Sequence, residues 1–210
     1  MYIIGLTGGI ACGKSAVSSR LQERGLPVID ADEVAHELTA PGQPLLEKIA
    51  DAFGDGVLDG RGGLDRARLG RLVFADRDML ERLNEITHPE IWRECLRRLA
   101  DLRGTCPVAV LVVPLLYEHG GEALADTVWV VGCSAEAQLQ RLMKRSGLSE
   151  EEALGRIRAQ MPLEKKMELA DHVIPNDGTL EELEREIDCA LDILSEELGS
   201  AGPGGIKNNG

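Results

Sequence analysis

The 210-residue sequence predicts an α/β fold, a parallel sheet flanked by helices, and three observations predict it. Short apolar runs alternate with segments of helical period, the pattern of strands joined by right-handed helical crossovers. The strongest run, Val108-Ala109-Val110-Leu111-Val112-Val113, is apolar throughout and mostly β-branched, as befits a strand buried on both faces. The first run leads directly into Gly8-Gly9-Ile10-Ala11-Cys12-Gly13-Lys14-Ser15, which fits G-x-x-x-x-G-K-[ST] at every fixed position. Each fixed residue answers a demand of a bound polyphosphate. The glycines let the backbone turn tightly, so that successive N–H groups point at phosphate oxygens. Lys14 can bridge the β- and γ-phosphates, and the Ser15 hydroxyl can ligate Mg²⁺. The expected ligand is a nucleoside triphosphate.

Taken in order, Tyr2-Ile3-Ile4-Gly5-Leu6 reads as a short buried strand and 16–24 as the helix after the loop. That helix aims the positive end of its dipole at the phosphates. Pro27-Val28-Ile29 gives a second strand, followed by Asp30-Ala31-Asp32, in which Asp30 suits the cap of a helix at 33–38. The next interval holds no convincing central strand. It contains the Pro41-Gly42-Gln43-Pro44 break, a glycine-rich turn at Asp59-Gly60-Arg61-Gly62-Gly63, and helical patterns at 65–75, 78–86 and 89–103. In the last of these Ile91, Cys95, Leu99 and Leu102 share a face, and His88-Pro89 reads as its start, because proline suits a first helical turn. This predicts a helical insertion over about 36–104, placed to cover a substrate, within a core of about 1–35 and 105–198.

Pro114 ends the strand at 108–113. Val128-Trp129-Val130-Val131 and His172-Val173-Ile174 are further strands, with helices at 135–146 and 150–160 joined by Gly147-Leu148-Ser149. Ser149 with Glu152, and Thr179 with Glu182, fit capping boxes. Residues 199–210 are expected to form a disordered tail.

Composition narrows the function. A net charge of −13 argues against non-specific nucleic-acid binding, and no run approaches the ~20 apolar residues of a membrane helix. The apolar start is too short for a signal peptide. Five scattered cysteines without a C-x-x-C point to reduced thiols in a cytoplasmic protein, with Cys12 in a packing role. Charge is uneven. Residues 61–103 hold ten arginines and no lysine against eight acids, while 181–197 hold eight acids against Arg185.

The chain has no N-K-x-D, no acid-terminated strand of the second nucleotide motif and no L-S-G-G-Q. A small enzyme moving a phosphoryl group to a small acceptor fits best. It needs a carboxylate at the acceptor hydroxyl and positive charge closing over the phosphate. Asp32, at the carboxyl edge of the second strand, suits the first role. Arg141, Lys144 and Arg145, at i, i+3, i+4 on one helix face beside Gly147, suit the second, and a solvated basic face is the alternative.

The words of the chain then converge on a family. Gly5-Leu6-Thr7-Gly8-Gly9-Ile10 with Gly13-Lys14-Ser15, Val28-Ile29-Asp30-Ala31-Asp32, Leu64-Asp65-Arg66, Val73-Phe74, His88-Pro89, Val113-Pro114-Leu115-Leu116-Tyr117-Glu118, Arg156-Ile157, Gln160, and Ala170-Asp171-His172-Val173-Ile174 before Asn176 and Gly178 appear in that order. By them the chain resembles the dephospho-coenzyme A kinases, from the first strand to about residue 195. The resemblance implies transfer of the ATP γ-phosphoryl group, with Mg²⁺, to the 3′-hydroxyl of dephospho-CoA. It implies a phosphate-loop kinase core, a CoA-binding insertion and a lid at about 141–160. Lys14, Asp32 and Arg145 would be catalytic. Gly9, Ile10, Ala11, Cys12, Gly13, Lys14, Ser15, Ala16, Arg141 and Asn176 would contact ATP, with Asn176 by the adenine. Thr7, Asp32, His88, Pro114 and Glu118 would face the acceptor. His88 could instead be structural, and Glu118 could bond substrate or pin a lid arginine. Two departures stand out: Ala16 where the family usually has Thr, and Ser146 where it often has Asp or Asn. Another small-acceptor kinase and a non-catalytic nucleotide-binding regulator are the competing readings.

Overall fold

A computed structural model of the protein describes residues 1–200. Its five strands are β1 (Tyr2–Gly8), β2 (Val28–Asp30), β3 (Val108–Val112), β4 (Thr127–Gly132) and β5 (His172–Pro175), in the sheet order β2-β3-β1-β4-β5. The α/β class read from the sequence is the class observed. β1 pairs with β4 and β4 with β5, both in parallel, with Ile4 opposite Thr127, Gly8 opposite Val131 and Trp129 opposite His172. Every residue of β4 is buried, which is why Val128-Trp129-Val130-Val131 within it is an unbroken apolar run. Two acids fix where the strands start. Asp126 accepts from the Ile3 N–H and Asp171 from the Val128 N–H, each at 2.7 Å.

The chain divides into two compact units, one of Met1 with Ile29–Leu111 and one of Tyr2–Val28 with Val112 onward. The first holds α2 (Ala31–Leu38), α3 (Pro44–Phe53), α4 (Arg66–Phe74) and α5 (Arg77–Leu102). Its core is Leu45, Ile49, Val57, Leu69 and Val73, with Leu38, Phe53, Met79, Leu80, Leu83 and Ile86 packed around them. Asp30 caps α2, as expected, by accepting from the Asp32 N–H.

One expectation fails here. The helices at 78–86 and 89–103 are a single 26-residue helix, α5, with Pro89 inside it, so His88-Pro89 opens nothing. Proline costs about 3 kcal/mol in a helix interior, but burial on both sides of it outweighs that cost. Leu83 and Ile86 pack into the core cluster before the proline, and Cys95 and Leu99 are buried after it. The helix-bond acceptor that Pro89 leaves unused is the carbonyl of Glu85, an exposed residue open to water.

The second unit holds α1 (Lys14–Glu23), α6 (Ala135–Ser146), α7 (Glu150–Arg158), α8 (Leu163–Leu169) and α9 (Leu180–Ser200). The predicted helix at 150–160 ends at Arg158, and α8 has no counterpart among the predicted elements. Both capping boxes form: Ser149 with Glu152, and Thr179 with Glu182. α9 buries Leu183, Ile187, Ala190 and Leu194 along one stripe and packs on β5 and α1. Part of its acidic face is partnered by α1, through Arg20 with Glu184 and Arg24 with Asp188. α9 continues to Ser200, so Gly199 and Ser200 are helical, against the expected tail, and the remainder of that tail lies outside the described residues. No described helix is long and apolar enough to cross a membrane.

Candidate functional site

The loops after β1, β4 and β5 leave the carboxyl edge of the sheet, where α/β folds bind ligands, and they meet around residues 8–15. Gly13 has φ 98°, a left-handed value, and a Cβ there would lie 2.1 Å from the Asn176 amide nitrogen. Ala11 is the one non-glycine with positive φ among the described residues, at 61°. Such backbone costs about 1–3 kcal/mol and persists where its surroundings over-determine it.

The surroundings do. Gln138 on α6, nearly fully buried, donates to the Ile10 carbonyl at 3.0 Å, while the Ile10 N–H donates to Gln160 Oε1 at 2.9 Å. Asn176 Nδ2 donates to the Cys12 carbonyl at 2.8 Å, and Arg141 donates to the Asn176 carbonyl at 2.6 Å. Asn176 is itself seated by its N–H on the Gly132 carbonyl. Lys14 lies back over the loop, its Nζ 3.2 Å from the carbonyls of both Gly8 and Gly9.

α1 begins at Lys14 with no side-chain cap and no acid in its first turn, whereas α2, α4, α5, α6 and α7 are each capped by an Asp or Ser side chain. Its first N–H groups therefore offer a partial positive charge to an anion. Ser15 and Ala16 stand in that turn, Ser15 exposed. A single hydroxyl beside a polyphosphate fits Mg²⁺, which takes one or two protein oxygens and draws its remaining ligands from phosphates and water.

Beneath the loop Cys12 and Cys133 are buried with their sulfurs 3.1 Å apart. Cys133 is pulled below the usual thiol value by Cys12 and by Arg141, while its hydrogen bond to Cys133, and then burial, drive Cys12 upward. All five cysteines are free thiols, and Cys12 packs, as expected.

A second cluster adjoins the first. Thr7, fully buried, donates to the Pro114 carbonyl at 3.1 Å. Glu118 accepts through Oε1 from the Met161 N–H at 2.9 Å and pairs with Lys166 at 2.8 Å. Lys166 is fully buried and also donates to the Pro114 carbonyl at 3.1 Å. Burial pushes the Glu118 carboxyl up, but Lys166 and the Met161 N–H outweigh it and hold the group below its ordinary value. Glu118 thus pins a lysine of α8, not a lid arginine.

The expected cationic face divides. Arg141 is half-buried in the Asn176 contact, and Lys144 and Arg145 are exposed at the end of α6, just before Gly147 at φ 64°. In the other unit, Asp32 is exposed in the first turn of α2, where the helix dipole favours a carboxylate. His88 is half-buried in mid-α5. That unit also carries an open groove of about 410 Å³ lined by Lys48, Asp51, Arg82, Glu85, Pro89 and Glu90. Sequence reasoning gave no role to Gln138, Gln160 or Lys166. Gln160 appeared only as a family word, and a lysine on an unpredicted helix gives no local sign of being buried.

A family model described as dephospho-CoA kinase matches residues 2–182. A dephospho-CoA kinase of Carboxydothermus hydrogenoformans is 50% identical over 186 residues, covering 88% of this chain and 90% of the relative. A crystal structure from Thermus thermophilus superposes with a TM-score of 0.79 at 40% identity, covering 92% of this chain and 97% of the other. The dephospho-CoA kinase of Campylobacter jejuni gives 0.64 at 29% identity, over 92% and 97%.

Proposed function

The chain belongs to the dephospho-CoA kinase family, and we propose on that premise how its residues divide the transfer of the ATP γ-phosphoryl group to the 3′-hydroxyl of dephospho-CoA, the last step of coenzyme A biosynthesis. The observation that carries the reading is the braced phosphate loop running into an uncapped helix within a chain matched by the family over residues 2–182.

The loop and first turn of α1, from Gly9 to Ala16, cradle the ATP phosphates, and Lys14 neutralises charge that builds between the β- and γ-phosphates. Ser15 would hold a Mg²⁺ ion, which screens the phosphate oxygens from one another when bound. Asn176 and Arg141 stand on the adenine side. Asp32 orients the 3′-hydroxyl and takes its proton as that oxygen bonds to the γ-phosphorus and the bond to the ADP oxygen breaks. Thr7, His88, Pro114 and Glu118 face the acceptor. Arg145, exposed beside the Gly147 turn, closes over the transferring group and keeps water from competing as acceptor. Cysteines that stay reduced fit work in the cytoplasm.

The test is ATP-dependent formation of 3′-phosphorylated CoA from dephospho-CoA by the purified protein, read by mass spectrometry and phosphorus NMR. Equal turnover of shikimate or a nucleoside monophosphate would overturn the acceptor assignment. Asp32→Asn keeps shape and removes the base, so kcat should fall roughly 10²–10⁴-fold with ATP binding changed much less. A matching loss of ATP affinity would place Asp32 on the nucleotide.

A further inference from the structure

Lys166 is the one fully buried lysine among the described residues, and its partners are telling. Its ammonium reaches one oxygen of Glu118 and the carbonyl of Pro114, the carbonyl that Thr7 also bonds. Glu118 Oε1 thereby receives two donors, the Met161 N–H and Lys166. The other oxygen, Oε2, is buried and has no hydrogen-bond partner among the described residues. A buried acceptor left unpaired is costly, and a buried ion pair is seldom the cheapest filling for a core, since well-packed apolar residues often do as well. The arrangement leaves Oε2 as the carboxylate oxygen that faces neither Lys166 nor the Met161 N–H.

We propose that Lys166 is a positioning residue for the acceptor substrate: by engaging Oε1, it fixes the Glu118 carboxylate so that Oε2 accepts a hydrogen bond from an N–H or O–H of that substrate. This rests on the placement of Glu118 on the acceptor side. The same ammonium holds the Pro114 carbonyl against Thr7, the last residue but one of β1, so one cation sets the wall of the acceptor site and the entrance to the phosphate loop. Neighbouring residues grip the other side, where Gln160 accepts from Ile10 and the Met161 N–H donates to Glu118.

The experiment is a double-mutant cycle on the whole enzyme, with Lys166→Met, Glu118→Ala and the pair together. KM for dephospho-CoA, KM for ATP and thermal unfolding are measured for each. Lys166→Met should raise KM for dephospho-CoA roughly tenfold, the worth of about one hydrogen bond to a charged group, with KM for ATP within about twofold. Glu118→Ala should do the same. The double variant should be no worse for dephospho-CoA than Glu118→Ala alone, because Lys166 acts through Glu118. It should also regain thermal stability over Lys166→Met, which strands a buried carboxylate. Lys166→Arg should rescue part of the acceptor affinity. Additive effects on KM for dephospho-CoA, or equal effects on both substrates, overturn the proposal. If Glu118→Ala leaves acceptor KM unchanged, the acceptor-side placement of Glu118 falls and the proposal with it. Failure of the unmodified protein to make CoA would instead sink the functional reading. Should Lys166→Met not fold, the double variant and Lys166→Arg still decide.

Discussion

The phosphate loop and the helical unit of residues 29–111 are built on opposite principles. The loop is held by directional hydrogen bonds: two glutamines on Ile10, an asparagine on Cys12, and carbonyls gripping the Lys14 ammonium. Several braces come from more than a hundred residues away, and each satisfies a backbone group that a wrong conformation would strand. The helical unit is held by a small apolar cluster that includes Ile49 and by charged networks at its surface, where Arg98 joins Glu94 and Glu37 and Lys48 joins Glu90. Ion pairs that solvent reaches, even partly, contribute little and shift readily. On the division of roles proposed above, a site for a fixed triphosphate calls for preorganisation, and a surface that takes a long, jointed acceptor can yield. The difference teaches that rigidity has been placed where the chemistry is charged.

The comparison predicts that damage on the loop side appears in turnover and damage on the helical side in stability. The largest effect should come from Lys14→Ala. Its ammonium has no neutral substitute at the β–γ bridge, so kcat should drop on the order of 10³-fold or more while circular dichroism and the unfolding midpoint stay near those of the unmodified protein. Near-normal turnover would break the contrast. Ile49→Ala should destabilise by about 3 kcal/mol, since the side chain is essentially fully buried in the core of its unit. KM for ATP should hold steady in the remaining folded protein, and a rise in that KM parallel to the stability loss would show that the two regions are not separable in this way. Gly13→Ala tests the loop's preorganisation itself. A methyl group meets Asn176 and sits on left-handed backbone, costing about 1–3 kcal/mol, and ATP binding should weaken before the fold does.

The smallest effect concerns pH. Arg97, then Arg98, pull the Glu94 carboxyl down to about 2. A depressed carboxylate stabilises above its unfolded value, near 4.5, and loses that contribution as pH falls towards 2. Arg97 is 58% exposed, so solvent screens the interaction and the gain should stay below about 1 kcal/mol. Urea midpoints of the unmodified protein and Glu94→Gln should differ at pH 6 and converge at pH 2, and a gap that widens with acid would reverse the assignment.

Much of the architecture was legible because parallel strands buried on both faces must be apolar throughout, and because phosphate binding restricts residue types at fixed spacing. Asp30 as a cap and the two capping boxes were legible for the same local reason. What escaped was non-local. Pro89 carries a strong local signal for a helix start, and only the burial of residues on either side overrides it. Gln138 reads as an ordinary polar helix position and Gln160 only as a family word until the fold brings both to Ile10. Lys166 reads as a solvated cation, because nothing near it in sequence announces Glu118. Asn176 was expected beside the adenine, and the bond it makes to Cys12 is set by the β4–β5 register, which sequence spacing does not reveal.

The strand order also sets a clock. β1 is made before the other described strands, yet one of its neighbours in the sheet is β4, paired from Ile4–Thr127 to Gly8–Val131. Asn176, which steadies the loop at Cys12, follows later still. At roughly 5–20 residues per second, the interval between synthesis of Gly13 and of Asn176 is on the order of ten to thirty seconds. Residues 29–111, by contrast, are continuous in the chain, and their core of Leu45, Ile49, Val57, Leu69 and Val73 is complete long before β5 emerges. Throughout that interval the glycine-rich turn lacks its Asn176 brace, so a nascent chain arrested near residue 150 should protect the amides around Ile49 while failing to retain ATP. Retention by that shortened chain would mean the loop forms without Asn176. Nucleotide binding is then a late event in this protein's birth, although its motif is made before β2, β3, β4 and β5.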